Sequence, residues 1–447
     1  MIKDGTVVTP QGTCRADLAA AEGKIAALGL GLRGRRELSA AGMLVLPGAI
    51  DAHTHMELPV SGTRSSDDFA SGTAAAACGG VTTIGDFTVA TGADSLAAAV
   101  QVRRRQARRA AVDYALHAEV VGWQPGWEDQ FAAAVECGVV SFKFYTAYGE
   151  SGRRTDYGTL HQAFSALAAL GATAMVHCED EEIIRAVARL LTPEDRADMA
   201  TLARARPPVA ESLAVRAVGH LAHQTGVRLH IAHLSSALGL QAVADARRTG
   251  ARITAETCPQ YLLLDADLYH RDDGHLYSAS PPLRTAADRA ALWSGLARGE
   301  IELVATDHCP FTRAQKAWQG SFADLPYGLP GVETLLPLLY SEGVAKGRIS
   351  LAALCRLLAE GPARALGLYP RKGVLAVGSD ADVAVLDPKA EWRIAAADLH
   401  MSTDFSPFQG RPVVGKVAAT VSRGRVVYAD GRFQGEEGWG EFIAGGR

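Results

Sequence analysis

Between Leu46 and Asp307 the chain repeats one unit, a short apolar segment followed by a longer stretch rich in Ala, Leu and Arg. The apolar segments read LPGAID, VTTIGDF, VDYALHAE, VVSFKFY, ATAMVH, RLHIAH, ARITAET and IELVATD. Enough chain for a helix separates each from the next, as in LAAAVQVRRRQARRA or LGLQAVADARR. Eight such alternations predict an α/β fold, a (β/α)8 TIM barrel rather than an open doubly wound sheet. A barrel of that kind takes roughly 250 residues, and the chain has 447. Much of the surplus lies at the ends, where strand-like pieces recur: KIAALG and MLVL before the barrel, ADVAVLD, KVAATVSRG and RVVYADGRF after it. These predict a small β-sandwich domain built from residues 1–47 and 371–447, with the barrel over 48–370.

Polar residues fall where such a barrel carries its chemistry. The first strand ends in IDAHTHMELP, and side chains at i and i+2 of a strand share a face, so His53 and His55 project together. The fourth strand carries Lys143, the fifth ends in His177, the sixth in His233 and the eighth in Asp307. Any one of these has an ordinary reading, a hydrogen-bonded rim histidine or a loop-capping aspartate. Four His, one Asp and one Lys at the C-terminal ends of five strands point instead to a metal site.

Lys143 is the informative member. An inward lysine in so apolar a strand is costly unless its charge is removed or paired, here with Asp86 or Glu119. Burial lowers an amine's pKa, and a neutral amine can add carbon dioxide to become a carbamate, N6-carboxylysine, that bridges two cations. Histidines and carboxylates suit zinc, with manganese, cobalt or iron as substitutes. Two divalent ions around a bridging hydroxide suit hydrolysis of an unreactive carbonyl bond. Of the remaining histidines, His230 is out of phase with His233 and is expected to face the helices. His308 is expected to point away from the ions, and His117 to lie beside the ligands. Cys309 lies close by without being placed as a ligand.

The net charge of −4 gives no reason to expect a nucleic-acid partner. The run Arg103–Arg109 has no interleaved aromatics and reads as a solvated helix face. Seven cysteines, with no CxxC pair, suggest reduced thiols rather than a disulfide framework. No apolar run has the length of a membrane span, and MIKDGTVVTPQG lacks a signal-peptide core, so a soluble cytoplasmic protein is expected.

Taken in order, PGAIDAHTHMELP, GTRSSDDFASGT, GGVTT, SFKFYTAY, VHCED, RPPVAES, IAHLSS, AETCPQYLLLD, SPPLR, ATDHCPF, GLPGVE and GSDADVAVLDP resemble the cyclic amidohydrolases of the amidohydrolase superfamily. The similarity is to the dihydropyrimidinase and hydantoinase branch. The resemblance implies a binuclear centre: His53 and His55 on one ion, His177 and His233 on the other, and carbamylated Lys143 between them. Asp307 would complete the first ion's shell and shuttle a proton from the hydroxide to the leaving ring nitrogen. Tyr148 would hydrogen-bond the scissile carbonyl, and Ser280 would contact the ring amides through its backbone. The implied reaction opens a 5-substituted hydantoin or a dihydropyrimidine to an N-carbamoyl amino acid, and lysine carbamylation requires CO2 or bicarbonate. Homotetramers, or homodimers, are implied as well.

Some positions depart from that pattern. Glu57 stands where dihydroorotases carry an arginine. Tyr327 stands where an asparagine commonly contacts the ring. Gly152, Arg153 and Arg154 replace bulky apolar residues that screen the exocyclic substituent, so a roomier or more polar pocket admitting acidic or extended groups is expected, unless those arginines are simply solvated. Two alternatives stay open, an allantoinase or other cyclic amidohydrolase, and a non-catalytic dihydropyrimidinase-related scaffold. Scaffolds of that kind have lost metal ligands, whereas all six ligand positions are filled here.

Overall fold

A computed structural model describes residues 1–9, 12–89, 95–122 and 126–446. Eight parallel strands form the barrel: β1 (Ala49–Thr54), β2 (Val81–Phe87), β3 (Asp113–Glu119), β4 (Ser141–Tyr145), β5 (Thr173–His177), β6 (Arg228–Ile231), β7 (Ile253–Thr257) and β8 (Leu303–Val304). They pair in sequence order from β1 to β8, and each overlaps one of the eight apolar segments. β1, β2 and β3 are buried at every position, as expected for parallel strands covered on both faces.

The seam between β1 and β8 is closed by one side chain together with a short backbone bridge between Thr54 and His308. Asp51 accepts hydrogen bonds from the backbone N–H of Thr306 at 2.9 Å and from its hydroxyl at 2.5 Å. Just beyond, the His55 N–H donates to the His308 carbonyl at 2.8 Å. Several helices that follow strands start at a side-chain cap, with Asp68, Ser95, Asp156, Asp180, Ser236 and Thr285 accepting from the first turn. Each such cap contributes about 1 kcal/mol. Asp180 and Ser236 stand three residues past His177 and His233, so the caps fix how the chain leaves those two histidines.

The arginine run does not lie wholly in solvent. Arg103 is 2% exposed, pairs with Asp86 and donates to the Met56 carbonyl, while Arg105, Arg108 and Arg109 are exposed. A buried carboxylate on the neighbouring strand β2 recruits the one arginine of the run whose helical phase faces the barrel.

Both chain ends build one nine-stranded sheet. Leu44–Pro47 pairs parallel with Ile2–Thr9 and antiparallel with Val383–Arg393, so a block of N-terminal strands and a block of C-terminal strands join edge to edge with no gap in hydrogen bonding. The sheet curls until Lys24 bridges to Asp380, around a small core that includes Val7, Leu18, Ile25, Val45, Val385 and Val421. Barrel and sheet meet at Lys372, 1% exposed, whose Nζ lies 2.7 Å from Asp113 of β3, 2.6 Å from Asp382 and 3.1 Å from Asp380. All seven cysteines are free thiols. Among the described residues no helix is long and apolar enough to cross a membrane.

Candidate metal centre and active site

Histidines gather where the strands end. His53 and His55 bring their Nε2 atoms 3.2 Å apart. Asp307, past the end of β8, places Oδ1 3.2 Å from His53 Nε2 and 3.1 Å from His55 Nε2. His177 closes β5 and His233 follows β6, with His177 Nδ1 and His233 Nε2 3.0 Å apart. The rings of His53 and His233 are 5.5 Å apart between centroids, so the two groups adjoin. Burial pushes His53, His177 and His233 below the ordinary histidine pKa, most of all His233, leaving neutral rings with lone pairs to donate. Burial works to raise the Asp307 carboxyl, but His53, His55 and Lys143 hold it below its usual value, and it is ionised.

Lys143 on β4 is 1% exposed, with Nζ 5.4 Å from the ring centroids of both Phe87 and Tyr145. The carboxylates that might have paired with it are engaged elsewhere. Asp86 holds Arg103 and the Met56 N–H, and Glu119 accepts from the Tyr145 hydroxyl at 2.8 Å and from Arg153 Nε at 3.2 Å. Burial lowers the Lys143 pKa against the pull of Glu256 and Asp307. A buried amine without an ion-pair partner among the described residues, beside two groups of imidazoles, is a donor set that fits divalent cations.

A cavity of about 1060 Å³ opens over these groups and is lined by Tyr148, Ser280 and Tyr327 as well. Tyr148 has a left-handed backbone, φ 71°, and its hydroxyl lies 2.5 Å from Ser280 Oγ. Burial raises its pKa, so the phenol keeps its proton. The Tyr327 hydroxyl donates to the Phe322 carbonyl at 3.0 Å. The two loop arginines diverge: Arg153 lines the cavity beside Glu119, while Arg154 turns to Glu182 at 2.8 Å.

A model of the amidohydrolase family matches residues 44–427. The chain belongs to that family. It is similar to the D-hydantoinase of Geobacillus stearothermophilus, 36% identical over 451 residues covering 99% of this chain and 96% of that one. It is 38% identical to the D-phenylhydantoinase of Escherichia coli O1:K1 over 458 residues, 99% and 97% of the two chains. The solved dihydropyrimidinase of Brevibacillus agri superposes with a TM-score of 0.96 at 34% identity, over 100% of this chain and 99% of that one.

Two buried carboxylates that the sequence motifs did not single out hold the candidate ligands of this amidohydrolase in place. Glu256, near the end of β7, accepts from His53 Nδ1, from His230 Nε2 at 3.1 Å and from the His233 backbone N–H at 3.1 Å. Glu179 accepts from His177 Nε2 at 2.9 Å and pairs with Arg206. Burial works to raise both carboxyls, yet their charged and hydrogen-bonded partners hold them well below the usual range. The signal was a glutamate inside the apolar run ARITAET and another beside His177 in VHCED.

His230 does not face the helices as expected. The backbone turns left-handed at His233, φ 37°, which breaks strand alternation after Ile231 and lets His230 and His233 both reach Glu256. His308 does turn from the cluster, to Asp67 at 3.1 Å. His117 stacks on Phe87 and binds the Ala52 carbonyl and Ser141, touching none of the candidate ligands.

Proposed function

We propose that this chain hydrolyses a cyclic ureide, a 5-substituted hydantoin or a dihydropyrimidine, to the N-carbamoyl amino acid. The observation that carries the reading is the buried Lys143, without an ion-pair partner among the described residues, beside the His53–His55–Asp307 group and the His177–His233 pair, beneath a cavity that also holds the Tyr148–Ser280 pair. The names of the similar proteins support the substrate class. His53, His55 and Asp307 would hold one divalent cation, and His177 and His233 a second. Lys143 would complete the donor set as its carbamate: the neutral Nζ adds to carbon dioxide, an N–C bond forms as one C=O π bond opens onto oxygen, and the amine gives up a proton to water. When bound, the cations supply positive charge for the carbonyl oxygen and lower the pKa of the attacking water. Zinc fits the nitrogen and oxygen donors best.

Each residue then has a task. Tyr148 donates its phenolic hydrogen to the substrate carbonyl oxygen, where negative charge develops. Ser280 holds that hydroxyl through Oγ, leaving its backbone free for the ring amide. Ionised Asp307 accepts the proton of the attacking water and returns it to the ring nitrogen as the C–N bond breaks. Glu119 already neutralises Arg153 on the cavity wall, so an acidic 5-substituent is accommodated only by displacing that pair.

The test is ring opening of dihydrouracil and of substituted hydantoins by zinc-reconstituted protein, with and without bicarbonate, beside a Lys143→Met variant. Bicarbonate-dependent turnover with two metals per chain is expected, and the variant should lose both metal and activity. Full turnover after exhaustive chelation, or by Lys143→Met, would overturn the reading.

A further inference from the structure

A second cavity, of about 550 Å³, opens at the opposite end of the barrel. Its walls include Thr173, Arg228, Ile253 and Leu303, the first residues of β5, β6, β7 and β8, whereas the candidate ligands lie toward or just past the other ends. Side chains such as Leu296, Ile301 and Leu357 make the lining mainly apolar. Around it stand the guanidinium groups of Arg228, Arg252 and Arg356, and among the described residues none of these meets a carboxylate. Arg228 donates only to the Gly171 carbonyl. The two carboxylates of the wall are already engaged, Glu302 by Arg247 at 2.6 Å and Glu360 by Arg364 at 2.9 Å.

An apolar chamber of this size, ringed by uncompensated arginines, matches a small ligand with an apolar body and one negative end. Cavities of roughly 300–1,000 Å³ hold such molecules, and a guanidinium fork matches a carboxylate with two parallel hydrogen bonds. We propose that this cavity is a binding site for a small amphipathic carboxylate, held by Arg228, Arg252 and Arg356 with its apolar part against Leu296, Ile301 and Leu357. The cavity shares no lining residue with the one over the metal cluster, although His230 of its wall hydrogen-bonds Glu256, which also holds His53.

Titration calorimetry of the metal-loaded protein with octanoate, octanol and inorganic phosphate tests this. Octanoate should bind saturably, octanol and phosphate each at least about tenfold more weakly, since each lacks half of the recognition. An Arg252→Ala, Arg356→Ala double variant should lose at least about tenfold in octanoate affinity while keeping its thermal midpoint, because both arginines are exposed and unpaired. Octanol binding as tightly as octanoate, undiminished octanoate binding by the double variant, or no binding at all would overturn the proposal. Competition by an N-carbamoyl amino acid separates two sources of the ligand: displacement of octanoate assigns the site to reaction products, and retention assigns it to plain alkyl carboxylates. Either result upholds the site.

Discussion

Glu256 holds three groups at once, His53, His230 and the backbone of His233, so one carboxylate orients a histidine from each of the two candidate ligand groups. The His53 Nδ1–H donates to it, which leaves Nε2 with its lone pair turned toward His55 and Asp307; Glu179 does the same for His177 through Nε2. Partners of this kind set the tautomer and basicity of a metal-binding histidine. Replacing Glu256 with Gln keeps the shape but puts an N–H where an acceptor is required. The Glu256→Gln protein is expected to bind zinc about 10–100-fold more weakly, read by competition with a chromophoric chelator, with little change in its far-UV circular dichroism. Three of the residues assigned tasks, Tyr148, His233 and Asp307, have left-handed backbones at φ 71°, 37° and 53°. Strain of roughly 1–3 kcal/mol at each such position persists only where the surroundings impose it.

The weakest element of the barrel is β8, whose regular ladder is only Leu303–Val304. Asp51 supplies what backbone pairing does not, through its two bonds to Thr306. Replacing it with Ala strands a buried N–H and hydroxyl and should cost about 1–3 kcal/mol per unsatisfied group, read as a lower urea midpoint. Burial pushes the Asp51 carboxyl from its ordinary 3.8 up to about 6, with Thr306 pulling the other way. The folded chain therefore binds this proton more tightly than the unfolded chain, and stability from this group falls as pH rises from about 4 to 6. Unfolding titrations across that window should show a smaller decline in Asp51→Asn, which carries no proton there.

At the scale of the whole molecule, barrel and terminal sheet are joined by a buried charge cluster. Lys372 is flanked by Asp113, Asp380 and Asp382, and Arg423 Nε also lies 3.2 Å from Asp113. Burial works to lower the Lys372 pKa, but the three aspartates raise it and keep the ammonium charged. Removing one partner of a buried ion cluster leaves like charges facing each other in low dielectric, at a cost of about 3–5 kcal/mol. Lys372→Met is expected to lower the thermal midpoint by several degrees, with sheet and barrel no longer melting together. A single transition at the original midpoint would show that the cluster does not couple them.

The repeat of strand and helix, the strand-end histidines and the odd inward lysine were all legible in the sequence, because period and position along a strand are local properties. Tertiary structure decided which donors face one another. His230 could not be placed from alternation, since a single left-handed residue at His233 resets the phase. Arg103 could not be told from its neighbours in the arginine run, since only the packed barrel shows that Asp86 waits at that one helical phase. Glu256 and Glu179 were visible as letters but not as supports, since their partners come from strands far away in sequence. Spacing encodes which face a side chain takes, and only the closed barrel encodes what that face meets.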